Sequence, residues 1–191
     1  MITPRGYFVE AALSGVGGAY CTPPDEPRCT DCSGFVVLCW RQATGHDLTG
    51  DSHAQFQLGR EVSGALQPGD LIFSDTQGGR EVRLGNRASH VAIYVGNGEI
   101  VNALNERAGI VRGPADTAYW RPLRLGVRRL FDDAGYIVPL PGLASALPEP
   151  PGPDPAGPAR PPQGHRWGSR RDRGRLLQRI QDRVRRRRRM P

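Results

Sequence analysis

The sequence predicts an α+β fold, and three observations predict it. Apolar residues recur at helical spacing through residues 6–44. Short apolar runs bounded by Gly and Pro then follow, from Leu71 to Phe131. The helices come first and the strands after them, so the sheet is expected to be antiparallel.

Taken in order, GYFVEAALSGV (residues 6–16) reads as a short helix. Phe8, Ala11, Ala12 and Val16 would share a face, and Gly17-Gly18 would stop it. Ala19 to Arg28, with three prolines, reads as a loop. A second helix starts at TDCSGF and ends near Thr44-Gly45, with Val36, Val37, Cys39 and Trp40 on its apolar face. Asp31 or Thr30 can cap it. A brief helix fits Ala54 to Leu58. Pro68-Gly69 is a turn signal feeding a strand at Leu71-Ile72-Phe73. Residues 74–87 read as a hairpin loop, and Ser89 to Val95 as a strand. Gly96-Asn97-Gly98 turns that strand back into Glu99 to Ala103. A further strand lies near Gly109 to Val111, and residues 119–131, with Trp120, Leu123, Leu125, Val127 and Leu130, supply the last.

Composition divides the chain. It has 191 residues, 38% of them hydrophobic, with 18 Pro, 25 Gly and a net charge of +7. That charge is uneven: residues 160–191 carry 13 arginines against Asp172 and Asp182, while residues 1–159 carry 13 arginines against 17 acids. Residues 1–133 are read as the folded domain, 134–165 as a Pro/Gly-rich linker and 166–191 as an Arg-rich tail. The tail is expected to be disordered alone and suited to a polyanion such as nucleic acid or an anionic cell-wall polymer. The start shows no apolar signal-peptide core, and no run approaches a membrane span. Composition leaves the compartment open.

The four cysteines are Cys21, Cys29, Cys32 and Cys39. No second CxxC or paired His follows Cys29-x-x-Cys32, which argues against zinc. The prolines before it argue against a thioredoxin-type redox pair. Cys21 and Cys29 can bridge across the Pro-rich loop, but nothing in the sequence fixes that pairing.

Cys32 stands apart because it falls in the first turn of a helix. Unsatisfied N–H groups and the positive dipole end favour a thiolate there. The plainer alternative is a free cysteine packed as a small hydrophobe. Thiol catalysis also needs a base and a group to orient it. His90, at the start of a strand, is the candidate base. Asn102, brought back by the Gly96-Asn97-Gly98 turn, is the candidate orienting group. Their plainer alternatives are a half-buried strand histidine and an edge residue facing water.

TDCSGF, LQPGDLIF, ASHVAIYVGNGEIVNA and YWRPLRLGVRRLF occur in this order, and the set resembles the NlpC-type cell-wall cysteine peptidases, a papain-like group. The resemblance covers residues 6–131. It implies N-terminal helices carrying the nucleophile, packed on an antiparallel sheet carrying the histidine. Carried over, Cys32 is the nucleophile, His90 the general base and acid, and Asn102 the third member, where the family often has histidine. Tyr20 matches the tyrosine whose phenol, with the Cys32 N–H, would form the oxyanion hole. Asp31 and Ser33, with Ser89 beside the base, complete the oxyanion and substrate-binding set. No metal or cofactor is implied. The family usually continues after that tyrosine with an aromatic and a Gly-Gly pair, where this chain has Cys21-Thr22-Pro23.

The expected activity is therefore hydrolysis of peptidoglycan stem peptides next to γ-linked D-glutamate. The rival is a degenerate structural or binding module, for example a phage tail component, working through its arginines. A third is an acyltransferase or amidase of similar fold.

Overall fold

The computed structural model describes residues 2–25, 29–78 and 88–138. Residues 139–191 lie outside the described residues, and with them most of the expected linker and the whole Arg-rich tail. Most of the expected hairpin loop, residues 79–87, lies outside them too.

Two helices form one layer. Helix α1 (Pro4–Ser14) starts at Thr3, whose hydroxyl accepts from the Gly6 N–H at 3.2 Å, with Pro4 in the first turn where no N–H is needed. It buries Phe8, Ala11 and Ala12. The face does not extend to Val16, as the spacing suggests. The helix ends at Ser14 and Val16 is exposed, because Gly17 turns the chain at a φ of 87° and donates its N–H to Ile110 at 2.9 Å. Helix α2 (Cys32–Thr44) buries Cys32, Phe35, Val36, Cys39 and Trp40. Its C-cap, Gly45, is left-handed and returns its N–H to Arg41. The short helix α3 (Ser52–Phe56) follows, capped by Asp51.

Strands β1 (Ala19–Tyr20) and β2 (Cys29–Thr30) form a small parallel pair within the stretch that reads as a loop. Four residues are too few to show a period. The disulfide Cys21–Cys29 closes this segment, which settles the pairing the sequence leaves open.

The second layer is a six-stranded sheet in the order β3-β8-β4-β5-β6-β7. Its strands are β3 (Arg60–Glu61), β4 (Leu71–Ser74), β5 (His90–Gly96), β6 (Glu99–Asn105), β7 (Gly109–Pro114) and β8 (Arg124–Arg129), paired antiparallel throughout. Asn97 and Gly98, at φ of 53° and 77°, make the β5–β6 hairpin turn. The last strand is shorter than residues 119–131 suggest. Residues 121–123 coil into a single 3₁₀ turn, whose Pro122 cannot donate to a ladder, and β8 begins at Arg124.

Strand alternation builds two cores. Leu71, Phe73, Val91, Ile93, Val101 and Ala103 face the helices and meet Phe8, Phe35 and Trp40. Phe8, Trp40 and Phe131 form an aromatic centre with centroids 5.4–6.2 Å apart. Ile72, Ala92, Ile100 and Val127 face the other way, where Ala115, Tyr94 and Trp120 pack on them. A buried ion pair locks β4 to β8: Arg129 donates to both carboxylate oxygens of Asp70, at 2.6 and 2.7 Å. After Phe131 the chain turns back, and Val138 donates its N–H to Leu130 at 3.0 Å.

Candidate active site

Cys32 is the first residue of α2 and its side chain is buried. Asp31 builds the turn: its Oδ1 accepts from the Gly34 N–H at 2.7 Å and from the Ser33 hydroxyl at 3.0 Å. The expected cap is therefore Asp31, not Thr30. Hydrogen bonds from the backbone of Val91, Ser33 and Cys32 itself favour a thiolate, the last two being the free N–H groups of the helix end. Burial outweighs them. Desolvation, helped by the Asp31 carboxylate, pushes the Cys32 thiol up to about 11. The helix end acts as the sequence suggests but does not prevail, so the thiol rests protonated at neutral pH. This corrects the expectation of a resting thiolate. How much water reaches the sulfur is a tertiary property that helix position does not reveal.

His90 opens β5 and is 5% exposed. Burial pulls its imidazole down to about 4, against the opposing effect of the Asn102 hydrogen bond. His90 Nε2 lies 3.0 Å from Asn102 Oδ1. An amide oxygen only accepts, so Nε2 carries the proton and Nδ1 keeps the free lone pair. The strand register brings the two together. Ile93 pairs with Val101, so Asn102 follows on the face and diagonal that His90 occupies, with the small Ala92 between them. The Val91 N–H that bonds the Cys32 sulfur belongs to the residue after His90, so the start of β5 meets the mouth of α2.

Tyr20 ends β1 and is half-buried. Its phenol is pushed up first by desolvation, then by the charges of Cys32, Asp31 and Glu106, which puts it in the electrostatic field of Cys32. The chain reaches this point because the Ile110 N–H donates to Gly18 and β1 pairs with β2 just before Cys32.

Cys32, Asp31 and Tyr20 thus form one electrostatic group and His90 and Asn102 a hydrogen-bonded pair, with the Val91 N–H linking the sulfur to the start of β5. Of the remaining two candidates, Ser33 is tied to Asp31 and Ser89 has a partner outside this set. The Ser33 hydroxyl donates to Asp31, and the Ser89 hydroxyl accepts from the Thr76 N–H at 2.8 Å. Among the described residues no cluster of His, Cys, Asp and Glu is suited to a metal ion. No described helix is long and apolar enough to cross a membrane.

Trp120, which the apolar pattern places on a strand, has a role the pattern does not reveal. Its indole stacks on His90 with centroids 5.3 Å apart and planes 15° apart, and Tyr119 packs edge-on against it. The adjacent aromatics Tyr119 and Trp120 are the one local signal, and no periodicity says that a loop folds back over His90.

A helix that begins with a thiol, packed on an antiparallel sheet in which β5 opens with a histidine, is the arrangement of the papain-like fold. The NlpC/P60 family model matches residues 17–129, and the chain belongs to that family, a family of cysteine peptidases. It is 32% identical over 102 residues to the murein DD-endopeptidase MepS/murein LD-carboxypeptidase of Escherichia coli, covering 53% of this chain and 50% of that protein. It thus spans about half the length of that relative. An NlpC/P60 family protein from Bacillus cereus superposes with a TM-score of 0.58 at 26% identity, covering 66% of this chain and 40% of the other. The NlpC/p60 domain of the peptidoglycan hydrolase SagA gives 0.53 at 25% identity, covering 65% and 97%.

Proposed function

We propose that this chain is a cysteine endopeptidase that hydrolyses peptidoglycan stem peptides, with Cys32, His90 and Asn102 as its triad and a γ-D-glutamyl linkage as its scissile site. The observation that carries the reading is the Asn102–His90 hydrogen bond, which leaves Nδ1 as a lone-pair base beside a helix that begins with a thiol. The substrate class is supported by MepS, a murein endopeptidase, and SagA, a peptidoglycan hydrolase.

The thiol is protonated at rest, so attack and proton transfer are coupled. Cys32 Sγ bonds to the carbonyl carbon as its proton passes to His90 Nδ1. The Cys32 N–H and the Tyr20 hydroxyl donate to the oxyanion. Asn102 Oδ1 holds Nε2–H and stabilises the imidazolium. The C–N bond then breaks, and His90 returns its proton to the leaving amine. His90 next takes a proton from water, whose oxygen attacks the thioester and releases the acid and the thiol.

Cys32→Ala should abolish release of new amino groups from purified peptidoglycan, while EDTA leaves the wild type unaffected. Mass analysis of the fragments identifies the bond. Hydrolysis that survives Cys32→Ala would overturn the assignment.

A second reading concerns the tail. Thirteen arginines in residues 160–191 favour a polyanionic partner. If the domain were a degenerate binding module, for example a phage tail component, this segment would be the working part. Truncation at residue 159 should remove salt-sensitive polyanion affinity and leave hydrolysis intact. Loss of affinity with no hydrolysis in either form would favour the binding module.

A further inference from the structure

The nucleophile and the base sit in different layers, on α2 and β5. Apart from one bond from the Val91 N–H to the Cys32 sulfur, a soft acceptor, the contacts between these elements are apolar: Phe35, Val36 and Cys39 share a core with Val91 and Ile93. Such packing attracts without direction and tolerates small slides. Catalysis between a thiol and an imidazole does not, because a misplacement of about 1 Å can cost two orders of magnitude in rate. Something directional has to set the offset of the two elements.

Helix α3 spans both. The Gln55 side chain is 0% exposed, and its two amide hydrogens are both used. Nε2 donates to the backbone carbonyl of Ser33, the residue after the nucleophile, at 3.1 Å, and to Gly50 at 3.1 Å. The Gly50 bond holds the amide plane, and the Ser33 bond holds the first turn of α2. One helical turn earlier, Ser52 is 6% exposed, and its hydroxyl donates to the Ala88 carbonyl at 2.5 Å. Ala88 lies two residues before His90. The positions i and i+3 place both side chains on one side of α3. Asp51 starts that helix by accepting the Ala54 N–H at 2.9 Å.

We propose that Ser52 and Gln55 are positioning residues for the proposed thiol reaction: one rigid turn of helix holds the nucleophile helix with Gln55 and the base strand with Ser52, and so sets the distance between Cys32 and His90. The inference rests on the assignment of those two residues as nucleophile and base. Its primary readout does not depend on hydrolysis.

The test uses the full chain and three variants: Ser52→Ala, Gln55→Leu, which keeps the bulk without the donors, and Ser52→Thr, which restores the hydroxyl. The primary readout is the His90 ring titration by NMR. Releasing the clamp admits water to the imidazole, so the His90 midpoint should rise from about 4 towards 6.5 in the first two variants and stay low in Ser52→Thr. The second readout is peptide hydrolysis. In the first two variants kcat should fall at least roughly tenfold while KM holds within about twofold, and Ser52→Thr should recover most of the loss. Gln55→Met replaces Gln55→Leu if the latter does not fold; Ser52→Ala and Ser52→Thr decide the matter on their own. An unchanged His90 midpoint and kcat in folded Ser52→Ala would overturn the clamp. A wild type that does not hydrolyse peptidoglycan would overturn the proposed function alone, and the titration would still decide the clamp.

Discussion

Trp120 lies flat over His90, at 5.3 Å between centroids. One indole thus covers a face of the imidazole whose Nε2 is held by Asn102. The stack keeps water from that hydrogen bond and limits rotation of the ring. Trp120→Ala should raise the His90 midpoint from about 4, because it returns solvent to the imidazole. It should also lower kcat/KM by roughly tenfold and destabilise the fold by about 2 kcal/mol. Trp120→Phe keeps a stacking face and should retain most of the rate. Ring titration by NMR and steady-state kinetics check both variants.

Asn102 has a different expected signature. Its carbonyl oxygen favours the imidazolium, so Asn102→Ala should move the His90 midpoint further down, opposite to the Trp120 variant. The tautomer would no longer be held, and the imidazolium formed during attack would lose its acceptor. Turnover should slow by roughly one to two orders of magnitude, as for other groups that orient a catalytic imidazole. Asn102→His restores an acceptor nitrogen and should recover part of the rate. The same titration and single-substrate kinetics check the pair.

The buried imidazole also predicts acid sensitivity. His90 has a folded value of about 4 against an ordinary 6.5, so between those two pH values the unfolded chain binds the extra proton. Stability is then full above about pH 6.5 and is lost as pH falls to about 4, by roughly 3 kcal/mol at most from this group. Denaturant unfolding of the wild type against His90→Gln isolates the contribution. The two curves should run parallel above pH 6.5, and the wild type should fall relative to the variant by up to roughly 3 kcal/mol as pH drops to about 4.

The Cys21–Cys29 bridge closes the loop between Tyr20 and Cys32. A loop of this length is worth about 2.5 kcal/mol in the chain-entropy account. Reductant should therefore lower the unfolding free energy of the wild type by about that amount and leave Cys21→Ser/Cys29→Ser unaffected. Thiol counting on the unfolded, unreduced chain should find Cys32 and Cys39 alone.

Much of the fold was legible because local patterns carried it. The helix at Cys32 ends at Gly45, and the Gly96-Asn97-Gly98 turn makes the hairpin it suggests. Leu71 to Phe73 and His90 to Val95 are strands for the reason their composition implies. Most of the differences share a cause. The exposure of Val16 and the two-residue strands at Tyr20 and Cys29 are decided by partners outside the local pattern, and the late start of β8 by the 3₁₀ turn at Pro122. Ile110 takes the Gly17 N–H, and a two-residue strand exists only as half of a pair.

The site divides in the same way. The sequence offered Cys32, His90 and Asn102 as candidates, because the capped helix start and the hairpin turn are short-range events and the ordered motifs around them resemble the NlpC-type peptidases. Only the folded chain decided the protonation state of the thiol, the stack of Trp120 on His90 and the reach of Ser52 and Gln55 across two layers. Solvent exclusion and contacts between layers depend on which distant surfaces meet, and no local pattern in the chain encodes that meeting.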